Sequence, residues 1–302
     1  MRSLILLVLA ANLFPTICPG QVQKFEDARP EIYKIASDTE LHIHIFESEG
    51  HDVKKGQRPA IVFFFGGGWT GGTPAQFEQH ARYLAQRGMV AAVADYRVKS
   101  RQKTSPRECV ADGKSAVRYL RQNAKRLGID PDKIAAGGGS AGGHVAATTG
   151  MCDELDDPND PMEESISSKS NALVLFNPVY DNGPEGYGHG RVKEWFPAIS
   201  PAHNISKDDP PAIVFLGSKD KLIPVATAEK FQADMKKVGL KSELHVYEGQ
   251  PHGFFNEKRG GPEIFADTLR KMDAFLASLG YLEGEPDEEA IKSVSGKGGL
   301  PK

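Results

Sequence analysis

Apolar positions along the chain alternate between two periodicities. Short runs at residues 60–65, 89–94, 133–137, 172–176, 212–216 and 242–247 read as strands. The most continuous, Ala60-Ile61-Val62-Phe63-Phe64-Phe65, has no polar break, as a strand covered on both faces requires. Between these runs lie stripes at helical spacing. Phe77, Ala81, Leu84 and Ala85 make one. Cys109, Gly113, Ala116, Val117 and Leu120 make another, opened by Ser105 as a cap and Pro106 in the first turn. Helices are also expected at 226–238 and 262–279, and after residue 140. Residues 31–36 and 40–46 read as a hairpin, with Leu41, Ile43 and Ile45 on one face and His42 and His44 on a solvated one. Strands alternating with helices predict a doubly wound, mostly parallel eight-stranded sheet with an antiparallel N-terminal hairpin.

Other segments break this alternation. Residues 1–20 have the layout of a signal peptide: Arg2, an apolar run at 4–11, then Cys18-Pro19-Gly20. That run is too short to span a bilayer, which takes about 20 residues. A secreted or periplasmic location with no membrane span is the expectation. The segment 152–170 is acidic and aperiodic, hence a surface loop. Residues 180–204, holding Tyr187, Trp195 and Phe196, exceed a simple connection and are expected to arch over the site as a small lid. Residues 282–302 are polar and Gly-rich and are expected to be disordered, leaving one domain over 21–281.

Composition narrows the function. A net charge of -3 without a basic cluster argues against nucleic acid as a partner. Of three cysteines, Cys18 lies in the leader. Cys109 and Cys152 either pair in an oxidising compartment or sit as buried free thiols, and their apolar settings favour the thiols. There is no metal-ligand pattern, and no cofactor is expected. Oligomeric state is left open.

The chemistry centres on Gly138-Gly139-Ser140-Ala141-Gly142, a G-x-S-x-G sequence between a predicted strand and a predicted helix. A serine at so sharp a turn adopts strained backbone angles, and flanking glycines relieve the crowding. Serine-based acyl transfer also needs a base, a carboxylate to orient it, and amide donors for the oxyanion. Asp220 and His252 each follow a predicted strand at its C-terminal end, where an open parallel sheet gathers its functional loops. The chain order is Ser, Asp, His.

From about residue 59 to 255 the chain resembles the α/β-hydrolase superfamily. Within it, the hormone-sensitive-lipase-like carboxylesterases and the bacterial acetyl-xylan and feruloyl esterases are the similar groups. Three signatures carry the resemblance: the serine elbow, the loop Gly66-Gly67-Gly68-Trp69, and the pair Asp220 to Pro224 with Pro251-His252-Gly253. It implies Ser140 as nucleophile, His252 as general base, Asp220 as its partner, and an oxyanion hole of Gly67, Gly68 and Ala141 amides. The family usually places a histidine before the three glycines; this chain has Phe65.

Trp69 and Trp195 are assigned as walls of the substrate pocket, with core packing as the equal alternative. His144 is expected to pack rather than react, and His80 and His245 to lie at the surface. Asp95, Tyr96 and Arg97 are expected to brace the glycine loop. The leading function is a secreted serine esterase that removes short acyl groups, acetyl on carbohydrate among them, through an acyl-enzyme on Ser140. The alternatives are a serine peptidase of the prolyl-oligopeptidase type and a non-catalytic hydrolase-like binding protein.

Overall fold

The computed structural model describes residues 23–54, 57–162 and 165–296, so the leader segment 1–20 lies outside it. Among the described residues eight strands form one sheet: β1 (Ala28–Ala36), β2 (Thr39–Phe46), β3 (Arg58–Phe64), β4 (Val90–Ala94), β5 (Ile129–Gly139), β6 (Ala172–Phe176), β7 (Ala212–Gly217) and β8 (Ser242–Tyr247). Their spatial order is β1-β2-β4-β3-β5-β6-β7-β8. The pairs β1/β2 and β2/β4 are antiparallel and the rest parallel, as the alternation predicts.

Six longer helices cover the two faces: α1 (Glu78–Gln86), α2 (Pro106–Gln122), α3 (Ala141–Met151), α4 (Val225–Lys237), α5 (Pro262–Ser278) and α6 (Glu288–Val294). The unbroken apolar run in β3 now has its explanation. Val62 and Phe64 point into a core shared with Val117, Val145 and Phe231 on α2, α3 and α4. Ile61 and Phe63 point the other way, among Leu84, Leu269 and Ile291 on α1, α5 and α6. Ser105 caps α2 with its hydroxyl and completes a capping box with Glu108, as its position suggested.

Buried charge ties β1 to α2. The Lys34 ammonium, 1% exposed, lies 2.9 Å from Asp112 and 2.6 Å from Asp157. Arg97 clamps the same Asp112 carboxylate with its Nε at 2.8 Å and its Nη2 at 2.7 Å. The acidic segment 152–170 is also anchored: Lys114 donates to the carbonyls of Cys152, Asp153 and Glu154, and Arg118 pairs with Asp156 and Asp160.

Three expectations are corrected. The segment 282–302 is not wholly disordered: α6 forms within it and buries Ala290, Ile291 and Val294 beside α1 and α5, and only 297–302 lie outside the described residues. Those three apolar residues at helical spacing give it a face to bury. His44 is buried rather than solvated, because Phe25 packs edge-on over its ring at 4.9 Å. His80 is likewise buried, enclosed by the rings of Phe63, Phe77, Phe176 and Phe265, and forms part of the wall of a cavity of about 600 Å³ with Gln76 and Glu257. His245 is half-buried. Cys109 and Cys152 are buried free thiols.

Candidate active site

At the junction of β5 and α3, Ser140 has φ 55° and ψ -118°, a left-handed conformation that costs an ordinary residue free energy and persists only when its surroundings enforce it. The enforcement comes from the end of β6, the turn after it and α3. Ser140 N–H donates to Phe176 O at 2.9 Å, while Ser140 O accepts from Val179 N–H at 3.1 Å and His144 N–H at 3.0 Å. Close approach also dictates glycine at 142, where a Cβ would stand 2.1 Å from the Phe64 carbonyl oxygen.

The three residues chosen from sequence meet here. Asp220 follows β7 and His252 follows β8, and their loops are stitched together by Lys219 N–H to Gln250 O and by Gly249 N–H to the Ser218 hydroxyl. His252 Nδ1 is 2.7 Å from Asp220 Oδ2, and its Nε2 is 2.9 Å from Ser140 Oγ. An ionised carboxylate only accepts, so the proton sits on Nδ1 and Nε2 is left to accept from the serine hydroxyl. Burial raises the Asp220 pKa, but the His252 hydrogen bond and the Ile223 and Leu222 amides outweigh it and hold the carboxyl below its usual range.

Asp220 Oδ1 accepts from the amides of Leu222 at 2.8 Å and Ile223 at 3.0 Å, and Oδ2 accepts from Asn177 Nδ2 at 2.6 Å as well as from His252. Asn177 was not among the residues chosen from sequence. Its one local signal is an Asn-Pro pair closing a buried strand, and its partner lies 43 residues away.

The glycine loop after β3 is fixed through its carbonyls. Phe65 O accepts from Tyr96 Oη at 2.6 Å, Gly67 O from Thr70 N–H at 3.0 Å, and Gly68 O from Arg191 Nη1 at 2.8 Å. Gly66 N–H is occupied by Gln76 Oε1 at 2.5 Å. The amides of Gly67, Gly68 and Ala141 have no acceptor among the described residues. Phe65, standing where the family has histidine, stacks on the Tyr96 ring at 4.1 Å with 14° between planes. Stacking and the Tyr96 hydroxyl together brace the loop.

Segment 180–204 packs against that loop. Arg191 lies over the rings of Trp69 at 4.8 Å and Tyr187 at 5.1 Å. Of the two alternatives held for the tryptophans, packing is what their contacts describe. Trp69 is 2% exposed, enclosed by His144, Tyr187 and Arg191. Trp195 packs on Val110, Val192 and Ile199. His144 Nε2 donates to Ile199 O at 2.8 Å, and burial lowers its pKa to about 4, so it joins α3 to the segment as a neutral ring. His189 and His203 bond within the segment, to Asn182 O and the Ser200 hydroxyl.

A serine on a strand-to-helix elbow, the strand order and the succession Ser, Asp, His along the chain define the α/β-hydrolase class. Comparison with known proteins agrees. The family model described as BD-FAE matches residues 50–184, and that of the dienelactone hydrolase family matches 186–283. Esterase LipC of Mycobacterium tuberculosis is 31% identical over 238 residues, 70% of this chain and 57% of LipC. The probable isoprenylcysteine alpha-carbonyl methylesterase ICMEL1 of Arabidopsis thaliana is 27% identical over 71% of this chain and 50% of its own. The chain thus spans about half the length of these curated relatives. Esterase 2 of Thermogutta terrifontis, solved after phosphoramylation by tabun, has a TM-score of 0.83 at 43% identity and covers 87% of this chain and 98% of its own. The chain belongs to the α/β-hydrolase carboxylesterases.

Proposed function

We propose that the protein hydrolyses carboxylic esters with short acyl groups, using Ser140 as nucleophile, His252 as general base and Asp220 as its orienting partner. The observation that carries this is the unbroken hydrogen-bonded chain from Ser140 Oγ through His252 to Asp220. In the first half-reaction Ser140 Oγ bonds to the ester carbonyl carbon and gives its proton to His252 Nε2. The carbonyl oxygen takes up negative charge beside the amides of Gly67, Gly68 and Ala141. The alcohol leaves with the proton from His252, and the acyl group stays on Ser140. Water then gives a proton to Nε2, bonds to the acyl carbon, and the acid departs as Ser140 recovers its proton.

Short acyl chains, acetyl on carbohydrate among them, are the substrates we favour. Support comes from the structures of T. terrifontis esterase 2 bound to propionate and to butyrate, and adducts of that enzyme with paraoxon support a reactive serine. The leader-like layout of residues 1–20 supports export to the periplasm or beyond. A panel of p-nitrophenyl esters from acetate to octanoate, with acetylated xylan, tests the reading. Acetate to butyrate should turn over fastest, and Ser140→Ala and His252→Ala should each nearly abolish turnover while remaining folded. Wild-type turnover in either variant would remove the proposed mechanism.

A further inference from the structure

The end of β6 touches both halves of the site. Phe176 O and Val179 N–H hold the backbone of Ser140, and between them Asn177 reaches Asp220 with its side-chain amide at 2.6 Å. We infer that Asn177 is a positioning residue for catalysis: it fixes the Asp220 carboxylate relative to the serine elbow, so that Oδ2 stays in line with His252 Nδ1. The inference rests on the assignment of Ser140, His252 and Asp220 proposed above.

Three features of Asn177 point this way. Its backbone has φ 42°, a left-handed conformation that asparagine tolerates better than most residues, and its N–H donates to Phe215 O at 2.7 Å on the neighbouring β7. The position therefore lies in a turn between the strand that holds the nucleophile and the strand that delivers the acid. Next, its orientation is decided by chemistry. Asp220 Oδ2 only accepts, so the NH₂ end of the amide must face it. That choice leaves Asn177 Oδ1 buried without a partner among the described residues, so the amide's bond to Asp220 is the one that fixes its orientation. Finally, the amide completes the carboxylate. Two backbone amides hold Oδ1, and His252 with Asn177 holds Oδ2. Without Asn177 the carboxylate keeps its hinge at Oδ1 but loses its second grip on the oxygen that orients His252.

Two substitutions separate this role from packing. Asn177→Gly keeps the left-handed backbone and removes the donor. It should lower kcat on p-nitrophenyl acetate by about 10- to 100-fold, the scale of a hydrogen bond to a charged group, with KM nearly unchanged because the amide does not touch substrate. Asn177→Asp preserves shape and backbone preference. The introduced carboxyl donates its proton to Asp220 Oδ2 when neutral and repels it when ionised. The titratable groups around it are Asp220, His252 and the Tyr180 phenol, which burial and nearby carboxylates keep protonated. Its activity relative to wild type should therefore fall as pH rises through the elevated ionisation range of that carboxyl. Wild-type kcat in Asn177→Gly overturns the inference, and so does a loss in Asn177→Asp that is the same factor at every pH. Full turnover in Ser140→Ala would instead mark failure of the functional assignment itself, and fluorophosphonate labelling of Ser140 in the Asn177 variants keeps the two failures distinct.

Discussion

At Asp220 a single atom separates orientation from inactivity. Its Oδ2 accepts the His252 Nδ1 proton at 2.7 Å, which leaves Nε2 free to receive the serine proton. Asp220→Asn would present an amide N–H or carbonyl in its place and favour the wrong imidazole tautomer. Turnover of p-nitrophenyl acetate should drop about 10⁴-fold with the fold intact; a loss below about tenfold would mean that the carboxylate does not govern the tautomer. Ser140, Asp220 and His252 were legible because each stands in a short motif just past a strand, where topology alone brings loops together. Asn177, Arg191 and Gln76 were not. Their partners are a carboxylate 43 residues on, a carbonyl 123 residues back and an amide in an adjacent turn, contacts that no local periodicity encodes. Trp69 stayed open for a related reason: an aromatic beside a glycine loop reads equally as wall or filler, and its neighbours His144, Tyr187 and Arg191 lie far along the chain.

Among elements, the strands and the two-sided core could be read almost entirely from the apolar runs, whereas the buried charges could not. Lys34 alternates with apolar residues on an edge strand and looks solvated until Asp112 and Asp157 are placed over it. Asp112→Ala removes the shared partner of Lys34 and Arg97 and leaves a buried ammonium with one remaining carboxylate. It should destabilise the protein by about 3–5 kcal/mol, read as a lower urea midpoint, and a change under about 1 kcal/mol would show that water reaches the site. Helix α6 was missed because a seven-residue helix in a polar, Gly-rich sequence carries too little periodicity to register. Its apolar face nevertheless matters. Ile291, 1% exposed, fills the core under α1 and α5, so Ile291→Ala should cost about 2–5 kcal/mol. If α6 were a loose tail, that substitution would leave the unfolding midpoint in place.

For the molecule as a whole, acid sensitivity follows from three buried rings, His44, His80 and His144. Burial lowers the pKa of His80 to about 3 and of His44 and His144 to about 4, while an unfolded chain returns each to about 6.5. Below that value the unfolded state binds protons that the folded state refuses. Stability is thus fully present above about pH 6.5 and declines as pH falls, by about 2 kcal/mol per histidine at pH 5. Thermal unfolding followed from pH 7 to 5 should show this decline, and His80→Phe should make it shallower; identical slopes would dismiss His80 as a contributor. A different consequence follows from the bond between Arg191 and the Gly68 carbonyl. One guanidinium ties segment 180–204 to the main chain of the glycine loop and lies over the rings of Trp69 and Tyr187 as well. Any displacement of that segment that breaks the bond also releases one anchor of the loop. Main chain after β3 and a segment more than a hundred residues further on are therefore coupled through one side chain, and a change at Arg191 reaches the glycine loop without touching it in sequence.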